Sequence, residues 1–167
     1  MGDDRASSKS PIVAYIALGS NMGDRNANIA GAIERLRNTP GVEVTKVSSP
    51  LENPAVGGPS DSPPFINSVS EIRTTLSPRA LLKRLLEIER ELGRERREKW
   101  SPRVIDLDIV LYGDRIVDEP DLHIPHPLMH EREFVLGPLA EIAPDAIHPK
   151  LHQSSAVLLS KLRSSQT

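Results

Sequence analysis

Ten residues near the middle of the chain, Arg103-Val104-Ile105-Asp106-Leu107-Asp108-Ile109-Val110-Leu111-Tyr112, constrain the fold more than any other stretch. An apolar run of this length asks to be a buried strand, yet two aspartates interrupt it two positions apart. Strand side chains alternate between faces, so Asp106 and Asp108 are predicted to share one face with Val104 and Val110. Ile105, Leu107, Ile109 and Leu111 would take the other. Carboxylates within a buried strand are costly unless positive charge compensates them. Residues i and i+2 of a strand lie about 6.5 to 7 Å apart, while paired catalytic cations lie about 3.5 to 4 Å apart. Two such carboxylates could therefore flank a cation pair. Spacing alone leaves a second reading open, two solvated aspartates on an exposed sheet face.

The segment leading into this strand adds weight to the first reading. Arg94, Arg96, Arg97, Lys99 and Arg103 precede the aspartates, and Trp100-Ser101-Pro102 stiffens the approach. Arginine forks clamp phosphate oxygens and stabilise charge developing during phosphoryl transfer. Glu91, Glu95 and Glu98 are interleaved, as in an ordinary solvated charge run. Magnesium suits two carboxylates that leave coordination positions to phosphate and water.

The remaining elements are read in order. Ile12 to Leu18 is a strand, closed by the turn-forming cluster Gly19 to Asp24. Ile29, Ala32, Ile33 and Leu36 recur at helical spacing until Pro40-Gly41. Val42, Val44 and Val47 mark a second strand. Ser49 to Pro64 holds five prolines, a long irregular loop of the functional or disordered kind. Phe65 to Thr74 reads as a strand with Phe65, Asn67 and Val69 on one face. Ser77-Pro78 is a helix cap followed by proline at the first helical position, Leu81, Leu85, Ile88 and Leu92 form the stripe, and Gly93 ends the helix. After the aspartate strand, Gly113-Asp114 predicts a type II′ turn into a return strand at Arg115 to Val117. A short helix is expected near Pro138 to Ala143 and another at Ser154 to Leu162.

The order β-α-β-β-α-β predicts an α+β, ferredoxin-like antiparallel sheet with both helices on one face and the other face left to long catalytic loops. With 167 residues, a disordered leader at 1–10 and a single domain at 11–163 are expected. Net charge of −2 argues against whole-surface affinity for nucleic acid or an anionic membrane. With no cysteine, a disulfide or thiolate metal site is excluded. His123 and His126 lack the partners of a zinc site. A phosphate-binding Gly-Lys-Ser/Thr loop is also missing. Phe65 and Phe134 are the only phenylalanines. Each could serve core packing, or the pair could sandwich a planar ligand whose edge Asn67 recognises.

Taken together, these stretches resemble the 6-hydroxymethyl-7,8-dihydropterin pyrophosphokinase family of folate biosynthesis from about Val13 to Pro149. The matching pieces are Tyr-Ile-Ala-Leu-Gly-Ser-Asn at 15–21, Asn-Pro-Ala-Val-Gly-Gly-Pro at 53–59 and Phe-Ile-Asn at 65–67. Ile-Glu at 88–89, Gly-Arg-Glu-Arg at 93–96, Trp-Ser-Pro-Arg-Val-Ile-Asp-Leu-Asp at 100–108, Pro-His at 125–126 and Arg-Glu-Phe at 132–134 complete the set. The resemblance implies an enzyme that moves pyrophosphate from ATP to a pterin alcohol with two magnesium ions on Asp106 and Asp108. It implies that Phe65 and Phe134 stack on the pterin, that Asn67 bonds its edge, and that Pro54 and Val56 complete that pocket. A cytoplasmic protein, and a monomer, is expected separately, because no apolar run is long enough to span a bilayer and the N-terminus is polar rather than a signal peptide. Arg94 and Arg103 would engage the phosphates and assist transfer, and Glu89, Trp100, Ile109, His126 and Arg132 would face the nucleotide. Loops 50–63 and 93–103 would close over both substrates. Leu86, Leu51, Ser101 and Lys99 depart from the glutamine, tyrosine, glycine and arginine common at those positions.

Overall fold

A computed structural model describes residues 10–53, 64–93 and 104–165. Strand β1 (Ile12–Ser20) leads into α1 (Arg25–Arg37), β2 (Val42–Val47), β3 (Leu51–Asn53), β4 (Phe65–Thr74), α2 (Pro78–Leu92) and β5 (Asp106–Tyr112). Then come β6 (Val117–Glu119), β7 (Leu122–Ile124), a 3₁₀ turn at Met129–Glu131, α3 (Glu133–Ile142) and α4 (Ser155–Ser165). The main sheet runs β2-β4-β1-β5 with every pairing antiparallel, and β3 adds a short partner to β4. β1, the most apolar run, therefore lies between β4 and β5.

Local signals explain the helices on the first face. The Asp24 carboxylate accepts the Ala27 N–H to start α1, and the Ser77 hydroxyl accepts the Ala80 N–H to start α2 with Pro78 in its first turn. Such caps satisfy N–H groups that have no partner within the helix. Gly93 closes α2 by donating its N–H to the Glu89 carbonyl. The stripe of α2 (Leu81, Leu85, Ile88) and that of α1 (Ile29, Ala32, Leu36) pack on Ala14, Ile16, Leu18, Ile72, Leu107 and Ile109 of the sheet.

The opposite face departs from the expectation that loops would occupy it. Tyr15, Val69, Val110 and Leu111 meet Met129, Val135, Leu136, Leu139 and Leu158 in a second core built on α3 and α4. The protein is a three-layer arrangement, helices against both faces of the sheet. The helix expected from Pro138 begins five residues earlier, at Glu133, with Pro138 inside it. Proline removes one helical hydrogen bond, but Val135, Leu136 and Leu139 bury enough apolar surface around it to hold the segment helical.

Three further differences concern strand ends and pairing. β1 continues past Leu18 to Ser20, because Gly19 and Ser20 pair with Asn67 and Ile66 of β4. β5 begins at Asp106 rather than Arg103, and Tyr15 pairs with Leu111 while Ile16 pairs with Ile109, so Val110 is an extra residue. That bulge turns Leu111 to the α3 side with Val110, whereas Ile105, Leu107 and Ile109 keep to the α2 side. The turn after β5 is closed by the Arg115 N–H to Tyr112 carbonyl bond, with positive φ at Gly113 alone of its two central residues, as a II′ turn requires. The strand that follows starts at Val117 and pairs with β7 in a separate two-stranded sheet.

Between α3 and α4 the chain is pinned by His148, only 5% exposed. Its Nδ1 accepts the backbone N–H groups of Lys150 and Leu151. Burial, with the nearby charges of His130, Lys150 and His152, pushes its pKa below the ordinary histidine value. The unfolded chain binds this proton at about pH 6.5, so between the two pKa values the unfolded state holds more protons. His148 therefore contributes stability that is complete above about pH 6.5 and is lost as pH falls through the folded pKa. The Tm of the wild type is expected to fall between pH 7.5 and pH 5 by more than that of His148→Asn, whose amide oxygen keeps the acceptor without titrating. Equal falls in the two proteins would refute this.

Candidate active site

Strand alternation and register together assemble the site. Gly19 pairs with Asn67 on one side and Asp106 on the other, and Ala17 pairs with Val69 and Asp108. Cross-strand partners point to the same face. The central strand thus lays its two smallest side-chain positions between the amide on β4 and the carboxylates on β5. Above this floor lies a cavity of about 560 Å³, with Phe65 and Asn67 on one wall and Asp106 and Asp108 on the other. His126, Glu131 and Arg132, from the segment leading into α3, and Phe134 in its first turn close the third side, and Asn53 of β3 adds to the first.

Each wall has a distinct chemistry. Asn67 is 8% exposed, and its Oδ1 is buried with no hydrogen-bond partner among the described residues. An orphaned buried acceptor is costly, and the residue that carries it lines the cavity. Phe65 and Phe134 are half-buried, and the Arg132 guanidinium carbon lies 5.6 Å from the Phe134 ring centre. Cation and ring are close enough to attract. Asp106 is half-buried and Asp108 exposed.

His126 is held at backbone level by its N–H to the Val110 carbonyl, at the bulge. Its Nδ1 accepts the Leu128 N–H at 3.1 Å, so the neutral ring carries its proton on Nε2. Burial lowers its pKa; the Asp108 carboxylate opposes that effect and Arg132 adds to it. The ring is consequently a neutral N–H donor at physiological pH.

Two further residues expected at the site are not among those that line the cavity. Ile109 is 5% exposed and sits in the core against the α2 layer, on the face of β5 opposite Asp108. The Glu89 carboxylate accepts the Leu107 N–H at 2.8 Å, binding α2 to the backbone between the two aspartates. Leu86 is 42% and Leu51 37% exposed. Pro54, Val56, Arg94, Lys99, Trp100, Ser101 and Arg103 lie outside the described residues, as do most of the leader and most of the two loops.

Sequence reading overlooked Ser20, 1% exposed, whose hydroxyl donates to the Val104 carbonyl at 2.7 Å and accepts from the Asn28 amide at 3.1 Å. This chain of bonds fixes the residue just ahead of Ile105 to the end of β1. A serine directly after a strand glycine, eight residues before a helical asparagine, was the available signal. Glu131 and Asn53 were also missed as wall residues, although Asn53 opens one of the matching pieces and Glu131 stands directly before another.

The donor set suits a hard divalent cation. Two carboxylates on one strand face open into the same cavity, and among the described residues no group of three or more His, Cys, Asp or Glu forms a complete protein cage. Magnesium is commonly bound through one or two carboxylates plus substrate phosphates, which this arrangement permits.

Comparison with known proteins agrees with the geometry. The model of the 7,8-dihydro-6-hydroxymethylpterin-pyrophosphokinase family matches residues 15–144. A 2-amino-4-hydroxy-6-hydroxymethyldihydropteridine pyrophosphokinase of Synechocystis sp. is 47% identical over 137 residues, covering 82% of this chain and 69% of that protein. The Bacillus subtilis protein of that name is 48% identical over 130 residues, covering 78% and 77% respectively. Among solved structures, Plasmodium falciparum HPPK-DHPS superposes with a TM-score of 0.77 at 15% identity, over 98% of this chain and 48% of that one, a likeness of fold. The present chain spans about half of that longer structure. On the family match and these identities, the chain belongs to the 7,8-dihydro-6-hydroxymethylpterin-pyrophosphokinase family.

Proposed function

We propose that this chain performs its family's reaction, transfer of pyrophosphate from ATP to the hydroxymethyl group of 6-hydroxymethyl-7,8-dihydropterin, in the cavity over β4, β1 and β5. The observation that carries the placement is the row Asn67–Gly19–Asp106, which sets an unsatisfied amide acceptor and a carboxylate on adjacent strand positions of one face. A pterin has ring N–H and amino groups for the amide and flat faces for Phe65 and Phe134. Its hydroxymethyl end would then point towards β5.

On this reading the hydroxymethyl oxygen attacks the β-phosphorus in line. The new O–P bond forms as the bond to the α-phosphate oxygen breaks, its electron pair leaves with AMP, and the hydroxyl proton passes to a phosphate oxygen or to water. Positioning and electrostatics supply most of the acceleration in such transfers. Asp106 and Asp108 would hold two magnesium ions, which when bound neutralise phosphate charge. His126 Nε2–H and the Arg132 guanidinium offer donors to phosphate oxygens from the third wall. A second cavity of about 330 Å³ shares His126 and continues past His123 and Pro127, giving the nucleoside end a place beside the first. Arg94 and Arg103 are assigned to the phosphates, Trp100 to the nucleotide, and Pro54 and Val56 to the pterin pocket, on the family resemblance. A cytoplasmic monomer is part of the same proposal. No described helix is long and apolar enough to cross a membrane. The strand order β2-β4-β1-β5, with β3 a side branch, supports a ferredoxin-like βαββαβ topology within a single domain spanning 11–163.

Incubation with 6-hydroxymethyl-7,8-dihydropterin, ATP and Mg²⁺, followed by mass spectrometry, is expected to yield AMP and the pterin diphosphate ester in equal amounts. Free pyrophosphate would instead indicate attack at the α-phosphorus, as in a nucleotidyltransferase. Unconsumed ATP would indicate a binding module without turnover.

A further inference from the structure

Glycine within a strand interior is ordinarily unfavourable, since it adds backbone entropy and packs nothing. At Gly19 no unusual backbone explains it, because the positive-φ glycines of the described chain are Gly23, Gly41 and Gly113. Such a glycine then marks a close approach by another group. A Cβ placed on Gly19 would lie 2.8 Å from Asn67 Nδ2, with Phe65 Cδ1 at 3.7 Å and Asn67 Cγ at 4.0 Å as the next nearest atoms. All three belong to side chains on the ligand wall of the cavity. The obstacle to a larger residue at 19 is therefore the Asn67 amide, which can swing aside, and not the main chain.

Resting on the pterin reading of Asn67, we infer that Gly19 is a positioning residue that sets the substrate amide. Its bare Cα lets the Asn67 carboxamide lie across β1. It also keeps the strip between Asn67 and its other partner, Asp106, free of side chains. That strip is where the reactive end of a bound alcohol must pass to reach phosphate held at β5. The floor continues in the next row as Ala17, between Val69 and Asp108. A methyl group at position 19 displaces the amide while leaving the carboxylate wall in place, so its effect falls on the alcohol substrate rather than on the nucleotide.

A double-mutant cycle tests this, because contacting residues are non-additive when one acts through the other. Gly19→Ala, Asn67→Ala and the double variant are compared for affinity towards 6-hydroxymethyl-7,8-dihydropterin, affinity towards ATP with Mg²⁺, kcat and Tm. Gly19→Ala is expected to weaken pterin binding about tenfold, the scale of one lost buried hydrogen bond, with ATP affinity within about twofold of wild type. The double variant should bind pterin no more weakly than Asn67→Ala alone. Unchanged pterin affinity in Gly19→Ala, or full additivity in the double variant, overturns the inference and leaves the pterin reading standing. Wild-type affinity in Asn67→Ala overturns both. Should Gly19→Ala not fold, the double variant decides. Folding restored by removing the amide supports the close approach, and a double variant that still fails to fold overturns it.

Discussion

Alanine at Asp106 or at Asp108 is expected to lower kcat by roughly 10²- to 10³-fold or more at saturating Mg²⁺ and ATP, the scale seen when charge stabilisation at a reacting phosphoryl group is removed. At Asp108, which is exposed, the substitution should leave Tm unchanged or raise it slightly. Both side chains reach into the cavity from one face of β5, one half-buried and one exposed, so truncation opens no hole in either core. It also removes repulsion between two like charges on one strand face. Loss of turnover without loss of stability separates metal-holding carboxylates from carboxylates that merely solvate a sheet face. A variant with near-wild-type turnover under these conditions would exclude that residue as a ligand. Asparagine at either position keeps shape without charge and should fall close to alanine in activity. Isothermal titration with Mg²⁺ and a non-hydrolysable ATP analogue would show whether the loss lies in cation binding.

How much of this could be read from residues alone depended on how local the physics is. The strand Phe65–Thr74 and the helix that follows have the bounds their own residues predict, because alternation, a Ser77 cap, Pro78 in the first turn and Gly93 at the end are all short-range signals. The two aspartates also share a face as alternation requires. The bulge at Val110 was invisible because it arises from the pairing of β1 with β5; nothing in Ile109-Val110-Leu111 itself marks the slip that sends Leu111 to the other core. Gly19 read as punctuation for the same reason, since glycine signals a turn unless strands on both sides claim it. The helix at Glu133–Ile142 was expected only from about Pro138, although burial of Val135, Leu136 and Leu139 against the sheet outweighs the one hydrogen bond that proline removes. Of the site, Phe65 and Asn67 on β4 and Asp106 and Asp108 on β5 were legible. The core packing of the Ile109 side chain and the Glu89–Leu107 bond were not, because each depends on which layer packs against its own face.

Glu89 gives the sharpest division between a residue that touches substrate and one that holds the site in shape. β5 is the edge of the main sheet, so among the described residues no strand pairs with the N–H groups along its outer side. The Glu89 carboxylate, from the last turn of α2, supplies an acceptor to one of them, at Leu107 between the two aspartates. Glu89→Ala would leave that N–H unsatisfied beside a core side chain that is 5% exposed, a loss of about 1 to 3 kcal/mol. It would also free the backbone that carries both carboxylates. Misplacement of reacting groups by about 1 Å costs up to about 10²-fold, so turnover should fall by roughly one to two orders of magnitude together with Tm. Glu89→Gln retains an oxygen acceptor at the same reach and is expected to recover most of both. The alternative, in which the Glu89 charge contacts the nucleotide directly, predicts the reverse pattern: Glu89→Gln would keep its Tm yet bind ATP as poorly as Glu89→Ala. Melting temperature and ATP affinity measured on the two variants side by side distinguish these roles, and a glutamine variant with restored Tm but alanine-like ATP affinity would refute the positioning role.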